Sequence, residues 1–97
     1  MIDVFTAFRI ASLRLAISTR ALVIVTTFDP ITCHRELIRG EIIDISVLPS
    51  GTIRLLTSRG TIDLDNSVES DVMELKTGRV LYHHNMKEEQ HVRINNG

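Results

Sequence analysis

Cysteine is nearly absent from this chain. The lone Cys33 cannot close an internal disulfide, so disulfide-stapled scaffolds are excluded and a reducing, cytoplasmic setting is the expectation. Tryptophan is missing altogether, and the rings are limited to Phe5, Phe8, Phe28 and Tyr82. So few aromatics leave no row of stacking platforms for sequence-tolerant binding of single-stranded nucleic acid. Long apolar runs are also lacking: the longest, Ala21-Leu22-Val23-Ile24-Val25, is far short of the ~20 residues a spanning helix needs. Arg9 and Arg14 break up the apolar N-terminal stretch, which is wrong for a secretory signal, so neither export nor a membrane partner is expected. Charge of one sign is missing too. A net charge of −1 provides no overall field to hold nucleic acid or anionic lipid, so any electrostatic partner must be met by a local patch.

What is present reads as one domain. A chain of 97 residues buries somewhat over ~60% of its unfolded surface, enough for one modest core. Hydrophobic residues at 43% and charged residues at 24% are ordinary globular proportions. Residues 1–84 are expected to form a single helix-plus-barrel domain, and 85–97, polar and without period, a flexible tail. Charge is divided unevenly: residues 1–40 carry five Arg against three acids, whereas 41–97 carry six basic against nine acidic groups.

Residues 3–18 contain helix formers and no Gly or Pro, with Asp3 where the helix macrodipole favours an acid. This predicted helix is apolar on two sides. Val4, Phe5, Phe8, Ala11 and Leu15 gather on one, and Ile2, Ile10, Leu13 and Ile17, edged by Arg9 and Arg14, on the other. One side covers the domain; the side with Arg9, Leu13, Arg14 and Ile17 is the expected partner-binding face. From Ala21 onward the period is two. "ALVIVTTF" reads as a strand covered on both faces, and "RGEIIDISVL" places Ile43, Ile45 and Val47 on one face with a bend at Gly40. Leu48-Pro49-Ser50-Gly51 has the chemistry of a tight turn. The near-repeat "GTIRLLTSRGTIDLDNSV" reads as a hairpin with Arg59-Gly60 as its loop, so that Thr57 faces Ile62, Leu55 faces Leu64 and Arg54 faces Asp65. Alternation resumes at Val72-Met73-Glu74-Leu75, turns at Lys76-Thr77-Gly78 and returns through Arg79–His83. The expected fold is mainly β: a small, bent, five-stranded Sm-like or SH3-like barrel behind an N-terminal α-helix, since closure removes exposed edges.

Signatures of chemistry are missing. There is no Gly-rich phosphate loop, Gly-x-Ser-x-Gly elbow, Cys-x-x-Cys pair or His-Glu-x-x-His stretch. A zinc site drawn from Cys33, His34, one of His83 and His84, and His91 would need the tail to fold back. Neighbours on a strand point oppositely, so His83 and His84 cannot both serve it. His34, Glu36 and His83 are the only groups that suggest an acid/base role in a ribonuclease-like barrel. The expectation is therefore no catalytic residue, no metal and no cofactor. The acids Asp63, Asp65, Glu69, Asp71 and Glu74 read as a solvated rim able to meet a basic protein, and Arg9, Arg14, Arg20, Arg35 and Arg39 as groups able to meet phosphates.

The pieces "LVIVTTFD", "RGEIIDIS", "GTIRLL", "GTIDLDNSV" and "LKTGRVLY", in that order behind a helix, resemble the Rof (YaeO) family of small bacterial inhibitors of the transcription terminator Rho. The likeness covers residues 5–82 as a pattern. It implies a non-enzymatic protein that docks on the Rho hexamer near its primary RNA-binding sites and blocks RNA loading. Members of that family present acids on the leading helix and nearby loops. Here the helix carries Arg9 and Arg14, and the acids stand at 63–74. The alternative is an Sm-like RNA-binding oligomer whose strands join edge to edge; the oligomeric state is open between the two.

Overall fold

The computed structural model describes residues 4–85. One helix, α1 (Val4–Ser18), precedes six strands: β1 (Leu22–Asp29), β2 (His34–Val47), β3 (Ile53–Thr57), β4 (Gly60–Leu64), β5 (Glu69–Glu74) and β6 (Val80–His84). The fold is mainly β, as its periodicity predicts, but the strands number six rather than five. Both arms of the last hairpin are strands in their own right. They form one antiparallel sheet in the order β4-β3-β2-β1-β5-β6, which does not close: the edges β4 and β6 are not paired to each other.

Chain length forces this sheet to curl. In a flat sheet β4 and β5 would lie four strand spacings apart, at least ~19 Å. Residues 65–68 join them, and five extended steps from Leu64 to Glu69 span at most ~18 Å. The link is shorter still, because Val68 N donates to the Asp65 carbonyl across a turn at 3.2 Å. β2 supplies the bend. Its first half pairs with β1 and its second with β3, and the register slips at Ile42/Asp44. That bulge corrects the expected alternation: Ile42 and Ile45 face the core, while Ile43 and Val47 are exposed. Asp44 Oδ1 accepts from Ile45 N at 2.8 Å and holds the irregular step. Just before it, Gly40 leaves room for the β3–β4 turn, since a Cβ there would stand 2.5 Å from Ser58 Oγ. β2 also begins five residues earlier than its pattern shows, because residues 34–37 are exposed whichever way they face.

The two-residue loop of the β3–β4 hairpin is Ser58-Arg59, not Arg59-Gly60. Thr57 pairs with Gly60, Leu55 with Ile62 and Arg54 with Asp63. Ser58 and Arg59 keep negative φ, and the left-handed step falls on Gly60 at φ +130°, as in loops built on a common turn followed by a glycine. Thr57 Oγ1 secures that turn, donating to the Gly60 carbonyl at 2.7 Å and accepting from Arg59 N at 3.1 Å. A slip of two residues preserves which side chains face inward and changes only the partners. The 48–51 turn forms as expected, with Gly51 N donating to the Leu48 carbonyl at 2.9 Å.

The core collects inward side chains from nearly every element, among them Leu13 and Ala16 of α1, Val23, Val25, Leu55, Leu64, Val72 and Tyr82. Burying one Val or Leu fully is worth ~1.5–3 kcal/mol. α1 docks through Leu13 and Ala16, with Ile10 and Ile17 partly buried beside them. The expected partner face of the helix is thus its core face. Leu13 is 0% exposed, whereas Phe8 and Leu15 on the other side are 72% and 52% exposed. With apolar residues on both sides, hydropathy could not choose. The helix ends where Arg20 turns left-handed at φ 55°; Ala21 N then reaches the Ala16 carbonyl at 3.0 Å and Arg20 N the Ile17 carbonyl at 3.1 Å. The tail expected at 85–97 lies, beyond Asn85, outside the described residues.

Candidate functional site

The curl brings the end of β1 and the start of β2 opposite β3 and β4, and between them lies an open cleft of about 560 Å³. Its charged groups come from five places in the chain: Asp29, His34 with Glu36, Arg54, Asp63 and Asp65. Each carboxylate is held differently. Asp29 Oδ1 accepts from Ile31 N at 2.9 Å and so ties the β1–β2 turn. Glu36 Oε1 lies 3.2 Å from His34 Nε2, two residues away on the same side of β2. Asp65 Oδ1 accepts from Ser67 N at 3.0 Å. Asp63 takes a two-pronged bond from Arg54, Nε to Oδ1 at 2.9 Å and Nη2 to Oδ2 at 3.1 Å. Those hydrogen bonds hold the Asp63 carboxyl below its usual range and push the Arg54 guanidinium further above its own. Four carboxylates against one guanidinium make the cleft acidic, and each keeps lone pairs for an incoming cation.

The five acids expected to form one surface divide into two groups. Asp63 and Asp65 line the cleft. Glu69, Asp71 and Glu74 lie on β5, where Asp71 pairs with His83 and Glu74 Oε1 accepts from Thr77 Oγ1 at 2.6 Å in the β5–β6 turn. In their place the cleft recruits Asp29 and Glu36. Nothing in their spacing announces this, because they meet Asp63 only once β2 bends.

The arginines do not share one path. Arg9 lies 5.1 Å over the Tyr82 ring, Arg35 5.2 Å over Phe28, and Arg20 sits 3.8 Å from Glu41; Arg14 is exposed. His84 Nε2 donates to the Asn66 carbonyl at 3.1 Å, so His83 and His84 point to different partners. Among the described residues no group of three His, Cys, Asp or Glu side chains is placed to hold a metal ion, and His91 lies outside them. Cys33 is exposed at the β1–β2 turn. The candidate acid/base groups divide as well: His34 and Glu36 face the cleft together, and His83 belongs to β6. No helix is long and apolar enough to cross a membrane among the described residues. No family model, curated protein or solved structure matches the chain.

Proposed function

We propose that this is a non-enzymatic regulatory protein that works by protein contact, its cleft docking a basic surface of a larger machine. The observation that carries the reading is the charge of the cleft: Asp29, Glu36, Asp63 and Asp65 line it with the one guanidinium of Arg54, all exposed except the half-buried Asp29. Long-range attraction to a cationic surface speeds encounter, and the second oxygens of these carboxylates accept from lysine or arginine. The resemblance to Rho inhibitors names the first target to try, because an RNA-binding site is a basic surface. A mainly β, strongly curled sheet behind one helix supports an Sm-like architecture with its last edge left open. An exposed free thiol suits a reducing cytoplasm.

The test is capture from bacterial lysate with and without nuclease, beside binding to purified Rho. Nuclease-resistant capture of a basic partner, lost in a Glu36→Lys/Asp65→Lys double variant that still folds, is expected. Unchanged capture by the double variant would remove the cleft from the interface. One feature favours a second reading, the Sm-like RNA-binding oligomer: among the described residues β4 and β6 end the sheet and do not pair with each other. It requires a ring-sized mass in light scattering and capture that nuclease abolishes.

A further inference from the structure

At the floor of the acidic cleft lies a polar group that its charge does not account for. Thr27 lines the cleft at only 8% exposure, on the same side of β1 as Asp29 and paired across to Glu36 of β2. Its hydroxyl makes no hydrogen bond among the described residues. Ser70, directly across on β5 and 1% exposed, has an Oγ with no partner either. Hydroxyls this deeply buried are nearly always paired, so an unmet one on a cleft floor marks a place for a group brought from outside. At the rim, three carboxylates each have one oxygen engaged: Asp29 Oδ1 with Ile31 N, Glu36 Oε1 with His34 Nε2 and Asp65 Oδ1 with Ser67 N. Their other oxygens have no partner among the described residues. Asp63 is already forked by Arg54.

We propose that the cleft is a socket for one arginine side chain of the partner protein, whose guanidinium donates to Thr27 Oγ1 at the floor and to the free carboxylate oxygens at the rim. This rests on the reading of the cleft as a docking surface and adds which residue enters it. Arginine fits better than lysine for three reasons. Its planar head carries five N–H donors in a fixed fork, so it meets a hydroxyl and a carboxylate in different directions at once. It is more weakly hydrated than an ammonium and gives up water more readily on reaching a buried floor. The buried Ile62 and half-buried Val68 supply an apolar wall for its methylenes. Lysine, a compact and strongly hydrated point charge, is served at the rim alone.

The experiment follows the anisotropy of dye-labelled twelve-residue glycine-serine peptides, each with three lysines and a central arginine, lysine or citrulline, as the full chain is added. The arginine and lysine peptides carry equal charge. The arginine peptide should bind at least about tenfold more tightly than the other two. Thr27→Val removes the hydroxyl and nearly keeps the shape, so it should cut that preference to about threefold or less and, because an unmet polar group is deleted, leave Tm no lower. Thr27→Ser should keep the preference, and so should Ser70→Ala, whose side chain does not line the cleft. Thr27→Ala against Thr27→Ser repeats the comparison if the valine variant does not fold. Equal binding of the arginine and lysine peptides, a preference that survives Thr27→Val, spermidine displacing the arginine peptide at a lower concentration than the unlabelled peptide does, or no binding at about 1 mM would each overturn the inference. Loss of partner capture in Glu36→Lys/Asp65→Lys beside any of these results would keep the docking reading and discard the socket; capture surviving there discards both.

Discussion

The two edges of the sheet are built on opposite terms. β4 exposes Asp63, locked to Arg54 of the neighbouring strand, and runs into Asp65; charge on an outer strand discourages a further strand. β6 exposes Val80 beside a groove lined by Arg9 and Arg79 and, among the described residues, by no acid. The difference follows from what each edge lies against. β4 borders the acidic cleft, whereas β6 borders α1, whose Phe8 lines the same groove as Val80. The lesson is that a curled sheet left one step from closure acquires two unlike surfaces, one rich in carboxylates and one lined by Phe8, Val80 and two arginines.

Removing α1 from β6 should have the largest effect. Leu13 is fully buried, so Leu13→Asp places a charge in the core and should cost more than about 4 kcal/mol, a large part of a small domain's stability. Loss of the cooperative melt by circular dichroism is expected, and Leu13→Ala should cost about 2–5 kcal/mol. A folded Leu13→Asp protein with unchanged Tm would mean that the helix docks through Phe8 and Leu15 instead. The β6 groove would then not exist.

A smaller effect should come from the β4 side. A Cβ on Gly60 meets nothing within 4 Å, so Gly60→Val pays only for a left-handed φ, about 1–3 kcal/mol. Gly40→Ala should cost a similar amount for another reason, crowding against Ser58 Oγ at 2.5 Å, and Ser58→Gly should recover part of that loss but none of the Gly60→Val loss. Equal recovery in both would mean that the turn at 57–60 is not as described. Chemical denaturation midpoints decide it.

Much of this organisation was legible in residue patterns, and the failures have physical causes. Strand positions and the 48–51 and 76–78 turns follow from alternation and turn chemistry, which are local. The hairpin register missed by two because a period of two is blind to a shift of two; what distinguishes the alternatives is Arg59, which an Arg59-Gly60 loop would force to positive φ and which keeps a negative one here. Ile43 was misplaced because a bulge inserts a residue that no hydropathy pattern records. The five acids read as one rim fall in two places, Asp63 and Asp65 in the cleft and Glu69, Asp71 and Glu74 on β5, and Asp29 and Glu36 join the first two only through the bend in β2.

The charged pair at β4 should matter less than either glycine. Arg54 and Asp63 are both exposed, so solvent screens their attraction, and Arg54→Ala should move Tm little. Its signature lies in acid. Arg54 depresses the Asp63 carboxyl, so the contribution is complete above the ordinary carboxylate value of ~3.9 and fades as pH falls through the lower, folded-state value. Asp63→Asn should therefore flatten the stability profile below about pH 4 and lower it slightly near neutrality, where the screened pair contributes in full. A profile identical to that of the unmodified chain would mean that the pair is not formed in solution.

The subtlest effect belongs to Tyr82, the chain's one tyrosine, whose titration can be followed alone by tyrosinate absorbance. Burial pushes its hydroxyl above the ordinary ~10, Arg9 on α1 pulls it back, and Asp65 at the end of β4 pushes it further up. Because the folded value is the higher one, Tyr82 favours the folded state fully below ~10, and that preference is lost as pH rises through the folded value. Arg9→Gln should raise the midpoint and Asp65→Asn lower it, each modestly. The two shifts measure how near the helix and the far edge come to one ring. Movement with Arg9→Gln but none with Asp65→Asn would mean that β4 stands away from β6 and the curl is wider than His84 and Asn66 make it. Movement with both would mean that the two edges, unlike in charge, share a single electrostatic neighbourhood across the gap that keeps the sheet from closing.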